Sequence, residues 1–392
     1  MRILTFDTET TTSNKGHFAD RNNKLIVTGT KWLGESTVCN YNLQSVKEII
    51  NQADMLVGFN IKFDLHWLDN VGIDTTNKQI WDCQIAEFLL ESQLNTYNSL
   101  NDACRKYELE EKLDVVKTEY WDKGIDTDQI PRDILNEYLA KDCELTEQVF
   151  LRQREEFKTR HPNLLKLFKL ECRDLVVLKE IERAGLRFDT DGARAEAAEL
   201  EGKMATMVNT IIDIVGNIPF NLNSNDHLSA ILYGGTITET VREPAGVFKT
   251  GARVGQIKFK NVDVEHKLPR LVNPLKNTET SKSRKLREKG ETQEETTWEV
   301  NTDTLKQLKA TGKAKKILDV LFEYSAMEKL RNTYLLGWSD LIDKMNWPKD
   351  MIHGNLNQTS VVTGRLSSTK PNMQNVDKQT KRYIVSRYAN QH

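Results

Sequence analysis

The first 60 residues are cut into short apolar runs by turn residues, and the hundred that follow are not. That order admits few folds. Ile3–Phe6, Leu25–Leu33 and Thr37–Tyr41 read as strands, Ser45–Asn51 as a short helix, and Met55-Leu-Val-Gly-Phe59 as a buried strand. From Lys62 to Leu109 apolar residues recur at helical spacing, as in Ile85, Phe88 and Leu89. Pro131 stands where helices begin, and Ile134–Phe157 contains neither Gly nor Pro. Strands first and helices after predict an α/β domain over residues 1–160.

His161-Pro-Asn163 marks a boundary. Beyond it the pattern is mostly helical: Leu164–Ala184 stopping at Gly185, Gly192–Val215, a helix capped by Asn221–Asp226 and closed by Gly234-Gly235, Asp303–Lys309, and Lys313 to about Met345. Residues 236–300 form a polar, basic insertion with hairpins expected. From Ile352 the chain reads as extended and turn-rich. The predicted organisation is 1–160, 161–350 with the insertion at about 236–300, and 351–392.

The chain has 392 residues, room for two or three domains, and 38% of them are apolar, enough for sizeable cores. Nothing approaches the ~20 consecutive apolar residues of a membrane helix, so no membrane partner is expected. The five cysteines are scattered without a C-x-x-C pair, which argues against a disulfide framework or zinc site. With Asp7 and Glu9 so early, the first residues do not read as a secretory signal, and a cytoplasmic location is expected. The net charge of -2 conceals a gradient: residues 1–160 hold 19 Lys and Arg against 28 Asp and Glu, whereas 241–290 hold 13 against 5. An acidic head and a basic stretch downstream are built for different partners.

Three pieces of the head carry chemistry. Phe6-Asp7-Thr8-Glu9-Thr10 puts two carboxylates two residues apart at a strand end, on one face. Gly58-Phe-Asn60-Ile-Lys-Phe63-Asp64 places a third where a helix should start. Tyr138-Leu-Ala-Lys-Asp142 sets a tyrosine and a fourth carboxylate one turn apart on a helix. Each alone is ordinary; together and in this order they resemble the tyrosine-containing subgroup of the DEDD exonuclease superfamily. The resemblance implies an RNase H-like domain that hydrolyses phosphodiesters with two divalent ions, Mg²⁺ or Mn²⁺, held by Asp7, Glu9, Asp64 and Asp142. It further implies that Asp7 bridges both ions, that Glu9 and Asp142 hold the ion that activates water, and that Asp64 supports the second. Tyr138 would orient the attacking water, with Asn60 and Phe63 as supporting residues. Asp82 also falls near an acidic position of the family, but N-capping a helix explains it well enough.

The tail has its own pattern. Asn357-Gln358-Thr359 is followed by Thr363-Gly364-Arg365-Leu366-Ser367-Ser368 and by Pro371-Asn372-Met-Gln374-Asn375, amide- and hydroxyl-rich and suited to hydrogen bonds with nucleic acid. Thr-Gly-Arg-Leu-Ser-Ser with Pro-Asn-x-Gln-Asn resembles the segment that opens the palm of family A DNA polymerases, the bacterial DNA polymerase I and bacteriophage replicative group. Glu171–Asp189, Phe220–Tyr233 and Tyr324–Tyr334 resemble stretches leading to it, although Ser224-Asn-Asp226 lacks the usual Pro and Gln. The resemblance implies a mostly α-helical thumb and the start of an antiparallel palm after the exonuclease domain. It implies that Arg365 reaches the minor groove near a primer terminus, and that Asn372, Gln374 and Asn375 contact template or primer backbone. Lys282, Arg284 and Lys285 in the basic insertion would hold duplex phosphates.

One departure stands out. No Asp-Tyr-Ser or His-Asp-Glu element of the polymerising palm occurs in the sequence. The expected function is therefore 3′–5′ proofreading and primer-template binding as the N-terminal part of a family A polymerase, phage-encoded and acting in a host cytoplasm. Polymerisation would need the rest of the palm and fingers: the chain is read either as the N-terminal half of a split polymerase completed by a second polypeptide or as a truncated product, with a processivity factor as a further possible partner. Against this stand a free-standing DEDD exonuclease, which would not need the Thr363–Asn375 pattern, and a non-catalytic DNA-binding subunit, which would not need four intact carboxylates.

Overall fold

The computed structural model of the chain describes residues 1–289, 296–386 and 388; the parts of the basic insertion and tail at 290–295, 387 and 389–392 lie outside these. The chain divides into two compact units, Met1–Ala193 with Leu336–His392, and Arg194–Leu335. The divisions read from sequence at 160 and 350 fall elsewhere, because Leu164–Ala184 and the tail both pack in the first unit.

The first unit is built on a five-stranded sheet in the order β3-β2-β1-β4-β5. These strands are β1 (Ile3–Thr10), β2 (Leu25–Trp32), β3 (Val38–Asn40), β4 (Met55–Gly58) and β5 (Gln79–Asp82). β1 pairs antiparallel with β2 and parallel with β4, so it is central and buried on both faces. That explains its near-continuous run of apolar and β-branched residues. The helices are α1 (Leu43–Gln52), α2 (Lys62–Asn70), α3 (Cys83–Leu90), α4 (Leu100–Lys106), α5 (Val115–Glu119), α6 (Arg132–Thr159) and α7 (Leu164–Ala184).

The stretch 62–109 holds the helices α2, α3 and α4, as its spacing suggests, but one element in it departs from that reading. It contains the edge strand β5 between α2 and α3. Four residues, Gln-Ile-Trp-Asp, are too few for strand alternation to show. Parallel pairing with β4 and packing of Trp81 against Phe150, Phe157 and Phe168 hold them extended.

The core of this unit runs from Leu4, Phe6, Leu56 and Val57 of the sheet to Leu65, Leu68, Ala86, Phe150 and Phe168 of the helices. Nearer its start α6 also lies on β2, where Gly29 makes the close approach possible. A Cβ there would stand 2.8 Å from Cys143 Sγ and from Leu139 Cγ.

The tail folds back into the same unit. Asn355–Asn357 pairs antiparallel with Ser367–Thr369. Buried Glu182 of α7 accepts from the Leu356 N–H at 2.6 Å, the Lys62 ammonium at 2.6 Å and the His66 ring at 2.8 Å. One carboxylate therefore ties α2, α7 and the tail together.

The second unit contains most of the helix Thr190–Val215, then Asn225–Tyr233, Thr302–Gln307 and Gly312–Lys329. Leu232, Tyr233, Ile317 and Leu321 lie in its core. The insertion supplies a long, largely exposed hairpin, Gly235–Val247 with Ile257–Leu268, and the basic helix Ser281–Glu288. The single helix expected from Lys313 to Met345 is interrupted by a π-helical turn at Leu330–Leu336. No helix among the described residues is long and apolar enough to cross a membrane.

Candidate active site

A cleft of about 450 Å³ opens at the end of β1, lined by Asp7, Glu9, Asn60, Phe63, Asp64, Lys112, Tyr138 and Asp142 among others. Asp7 and Glu9 come from the last residues of β1 and alternate to the same face. The turn between β4 and α2 puts Asn60 at φ +57, a left-handed conformation that Asn tolerates, and starts the helix whose first turn carries Asp64. Asp82 braces that turn: its carboxylate accepts from the Ile61 N–H at 2.8 Å and the Ile85 N–H at 2.9 Å. It is thus the cap expected of it, and it also holds the start of α2.

Asp7, Glu9 and Asp142 each offer an oxygen, and these lie within 4.8 Å of one another. Asp64 stands beside them, its Oδ1 accepting from the Thr8 N–H at 2.9 Å and the Thr8 hydroxyl at 2.5 Å. Tyr138 lies one turn before Asp142 on α6, buried, with Trp121 edge-on at 5.8 Å. All five residues of the first pattern therefore share one cleft, and Asn60 and Phe63 line it too.

The electrostatics of the cleft are those of a cation site. Burial, then repulsion from Asp142, pushes the Asp7 carboxyl up to about 7, against the pull of Lys112. Burial and neighbouring carboxylates push Glu9 and Asp64 well above the usual range. Asp142 is raised by burial despite Lys112, and its Oδ1 is buried without a hydrogen-bond partner. A hard divalent ion would satisfy that orphaned oxygen and neutralise the like charges, so the donor set fits Mg²⁺ or Mn²⁺.

A pH dependence follows. With a folded value near 7 against 3.8 unfolded, Asp7 binds its proton more tightly in the folded chain. Its contribution is present at low pH and is lost as pH rises from about 4 to 7. In EDTA, the thermal midpoint of the wild type should fall relative to that of Asp7→Asn across this window, and Mg²⁺ should remove the difference at pH 7. Scanning calorimetry of both proteins at four pH values checks this.

Sequence reasoning missed Lys112. It lies on the loop between α4 and α5, and its ammonium is 2.7 Å from Asp142 Oδ2 and 4.8 Å from the centre of the Tyr138 ring. Only its place in a charge-rich loop, Glu110-Glu-Lys112-Leu-Asp, is visible in the sequence, and such loops are usually solvated.

The tail residues lie elsewhere. Arg365 sits exposed in the turn between Asn355–Asn357 and Ser367–Thr369 and makes no ion pair among the described residues. The Asn372 side chain accepts from the Gln374 N–H at 3.0 Å, and the Gln374 amide donates to the Leu366 carbonyl at 3.0 Å. Both thus shape the loop as they stand. Asn375 lies just after them. Lys282, Arg284 and Lys285 are on the basic helix of the second unit, where Lys282 pairs with Asp226 at 3.0 Å and Arg284 donates to the Glu279 carbonyl at 3.2 Å.

Residues 2–157 match the family model of a 3′-5′ exonuclease, and residues 280–389 match that of DNA polymerase family A. DNA polymerase I of Synechocystis sp. is 26% identical over 322 residues, which are 81% of this chain and 26% of the relative. DNA polymerase I of Bacillus subtilis is 24% identical over 299 residues, 76% of this chain and 27% of the relative. The chain thus spans about a quarter of the length of these relatives. Among solved structures, the POL domain of Pol1 from M. smegmatis, in complex with DNA primer-template and dNTP, shares the fold with a TM-score of 0.63 at 15% identity. The match covers 98% of this chain and 54% of that one.

Proposed function

We propose that the chain is a relative of the family A DNA polymerases, with a 3′-5′ exonuclease domain where residues 2–157 match that family model and a polymerase part where 280–389 match the other, and that it removes nucleotides from the 3′ end of single-stranded DNA. The observation that carries the reading is the meeting of Asp7, Glu9 and Asp142 in one cleft with Asp64 and Tyr138.

In this reading Asp7, Glu9 and Asp142 hold divalent ions, with Asp64 beside them. Bound there, the ions supply charge stabilisation for the attacking and leaving oxygens and a nucleophilic water at neutral pH. The protein's own part is positioning. β1 and α6 fix the carboxylates, and Thr8 fixes Asp64 through two hydrogen bonds. The Tyr138 hydroxyl stays protonated, because burial and then the charges of Asp142, Glu9 and Asp7 push its ionisation far up. It can therefore hold a water by donating or accepting a hydrogen bond, but it does not act as a base.

The test is a 5′-labelled single strand incubated with Mg²⁺: a ladder receding from the 3′ end supports the reading, and an intact strand refutes it. Tyr138→Phe should slow this cleavage about 10- to 100-fold with the Mg²⁺ affinity unchanged, measured by single-turnover kinetics and calorimetry. An undiminished rate would remove the tyrosine from the mechanism.

Primer-template binding belongs to the same proposal, supported by the polymerase-family match over 280–389 and the exposed Arg365. Dependence of DNA synthesis on a further polypeptide belongs to the proposal as well. Nucleotide incorporation should appear only when a polypeptide carrying the rest of the palm and fingers is added. Incorporation by this chain alone, in a primer-extension assay, would contradict that part of the proposal.

A further inference from the structure

Among the described residues lining the cleft, Lys112 is the one cation, set against four carboxylates. Its backbone is pinned where the Lys112 N–H donates to Asn101 Oδ1 at 3.0 Å. The side chain is a flexible four-carbon stem, about a quarter exposed, whose ammonium is held on Asp142 at 2.7 Å. The ammonium lies on Asp142 Oδ2 and over the Tyr138 ring, where its charge opposes that of the carboxylates.

Charge counting gives the rest. Four ionised carboxylates are balanced by two divalent ions, which leaves the charge of Lys112 in surplus. Repulsion from the ions then acts on the ammonium over a few ångströms. The anion left for it is the phosphodiester of the strand entering the cleft.

We infer that Lys112 is a two-position residue: the counter-ion of the carboxylate cluster in the metal-free protein, and a phosphate-binding residue once the ions are in place. This rests on the metal-site reading above. Lys112 competes with divalent ions for Asp142, so metal binding and substrate binding are coupled through one side chain. The device also keeps the empty cleft folded: without the lysine, the buried carboxylates face one another uncompensated.

The experiment uses the full chain as wild type, Lys112→Met, Lys112→Arg and Asp7→Ala. Calorimetry with Mn²⁺ should show Lys112→Met binding the ion roughly three- to tenfold more tightly than wild type, because a competing cation is gone. In Ca²⁺, a tetrathymidylate should bind Lys112→Met about tenfold more weakly. The slope of log Kd against log salt should be smaller by about 0.7, the share of one phosphate contact on a single strand. Lys112→Arg keeps its charge and should keep the wild-type slope, which controls for damage to the fold.

Unchanged ion affinity in Lys112→Met, or an unchanged salt slope, overturns the inference while leaving the metal site standing. Failure of the wild type to bind Mn²⁺, with Asp7→Ala behaving identically, overturns the metal-site reading itself.

Discussion

Asp7→Ala should lose 3′–5′ cleavage on the order of 10³-fold or more while keeping the thermal midpoint of the metal-free protein, or gaining slightly. The two halves of that result have one cause. Asp7 is one of the three carboxylates whose oxygens lie within 4.8 Å of one another, so its removal takes away a third of the set available to an ion there. The same position is electrostatically costly in the empty protein, where burial and Asp142 push the carboxyl up to about 7. An alanine relieves that cost. Loss of activity together with loss of folding would point instead to a structural role for Asp7. The pair of measurements, single-turnover cleavage and a thermal melt in EDTA, separates the two.

The second large effect lies outside the cleft. Gly29 sits opposite Asp7 in the β1–β2 register, with α6 across it. It has no unusual backbone conformation; what it supplies is space, since a Cβ would stand 2.8 Å from both Cys143 Sγ and Leu139 Cγ. Gly29→Val must push α6 outward, and overpacking of this kind costs about 1–3 kcal/mol. On α6, Tyr138 and Asp142 are the residues directly before the contacting Leu139 and Cys143, so the displacement reaches the cleft. Cleavage should fall about 100-fold, as a misplacement of ~1 Å can cost. Gly202→Ala is the control: it lies in a helix with open space around it and should leave both properties unchanged or slightly raise stability. A Gly29→Val protein with wild-type melting and wild-type rate would show that α6 can slide without consequence, and that its close packing on β2 does not hold Tyr138 and Asp142 in place.

How much of the molecule can be read from its sequence follows from the length scale of each signal. Asp7 and Glu9 are legible because strand alternation and the end of an apolar run are local properties. Tyr138 and Asp142 are legible because four residues make one helical turn. Their convergence comes from the ordered resemblance to a nuclease family; no local rule brings residues 9 and 142 together. β5 is not legible, since its four residues are extended only by pairing with β4 and by the aromatic packing of Trp81.

Lys112 is not legible either. Its role depends on a loop that crosses in space to α6, and nothing in the spacing of Glu110-Glu-Lys112 records that. The tail shows a third case. Asn372 and Gln374 read from sequence as groups for nucleic acid, and in the folded chain they hydrogen-bond within their own loop. The chemistry of an amide is plain from sequence; which partner it takes is decided by the turn around it. Likewise Glu182, part of a polymerase-like segment in the sequence, proves to be the carboxylate on which α2, α7 and the tail converge.

The cleft's assignment is tested most sharply by comparing wild type with the Asp7→Ala, Asp142→Ala double variant on a 5′-labelled single strand in Mg²⁺. The expected result is a ladder receding from the 3′ end for the wild type, stopped by EDTA, and an intact strand for the folded double variant. A double variant that still produces the ladder would contradict the placing of the nuclease site at Asp7, Glu9, Asp64 and Asp142.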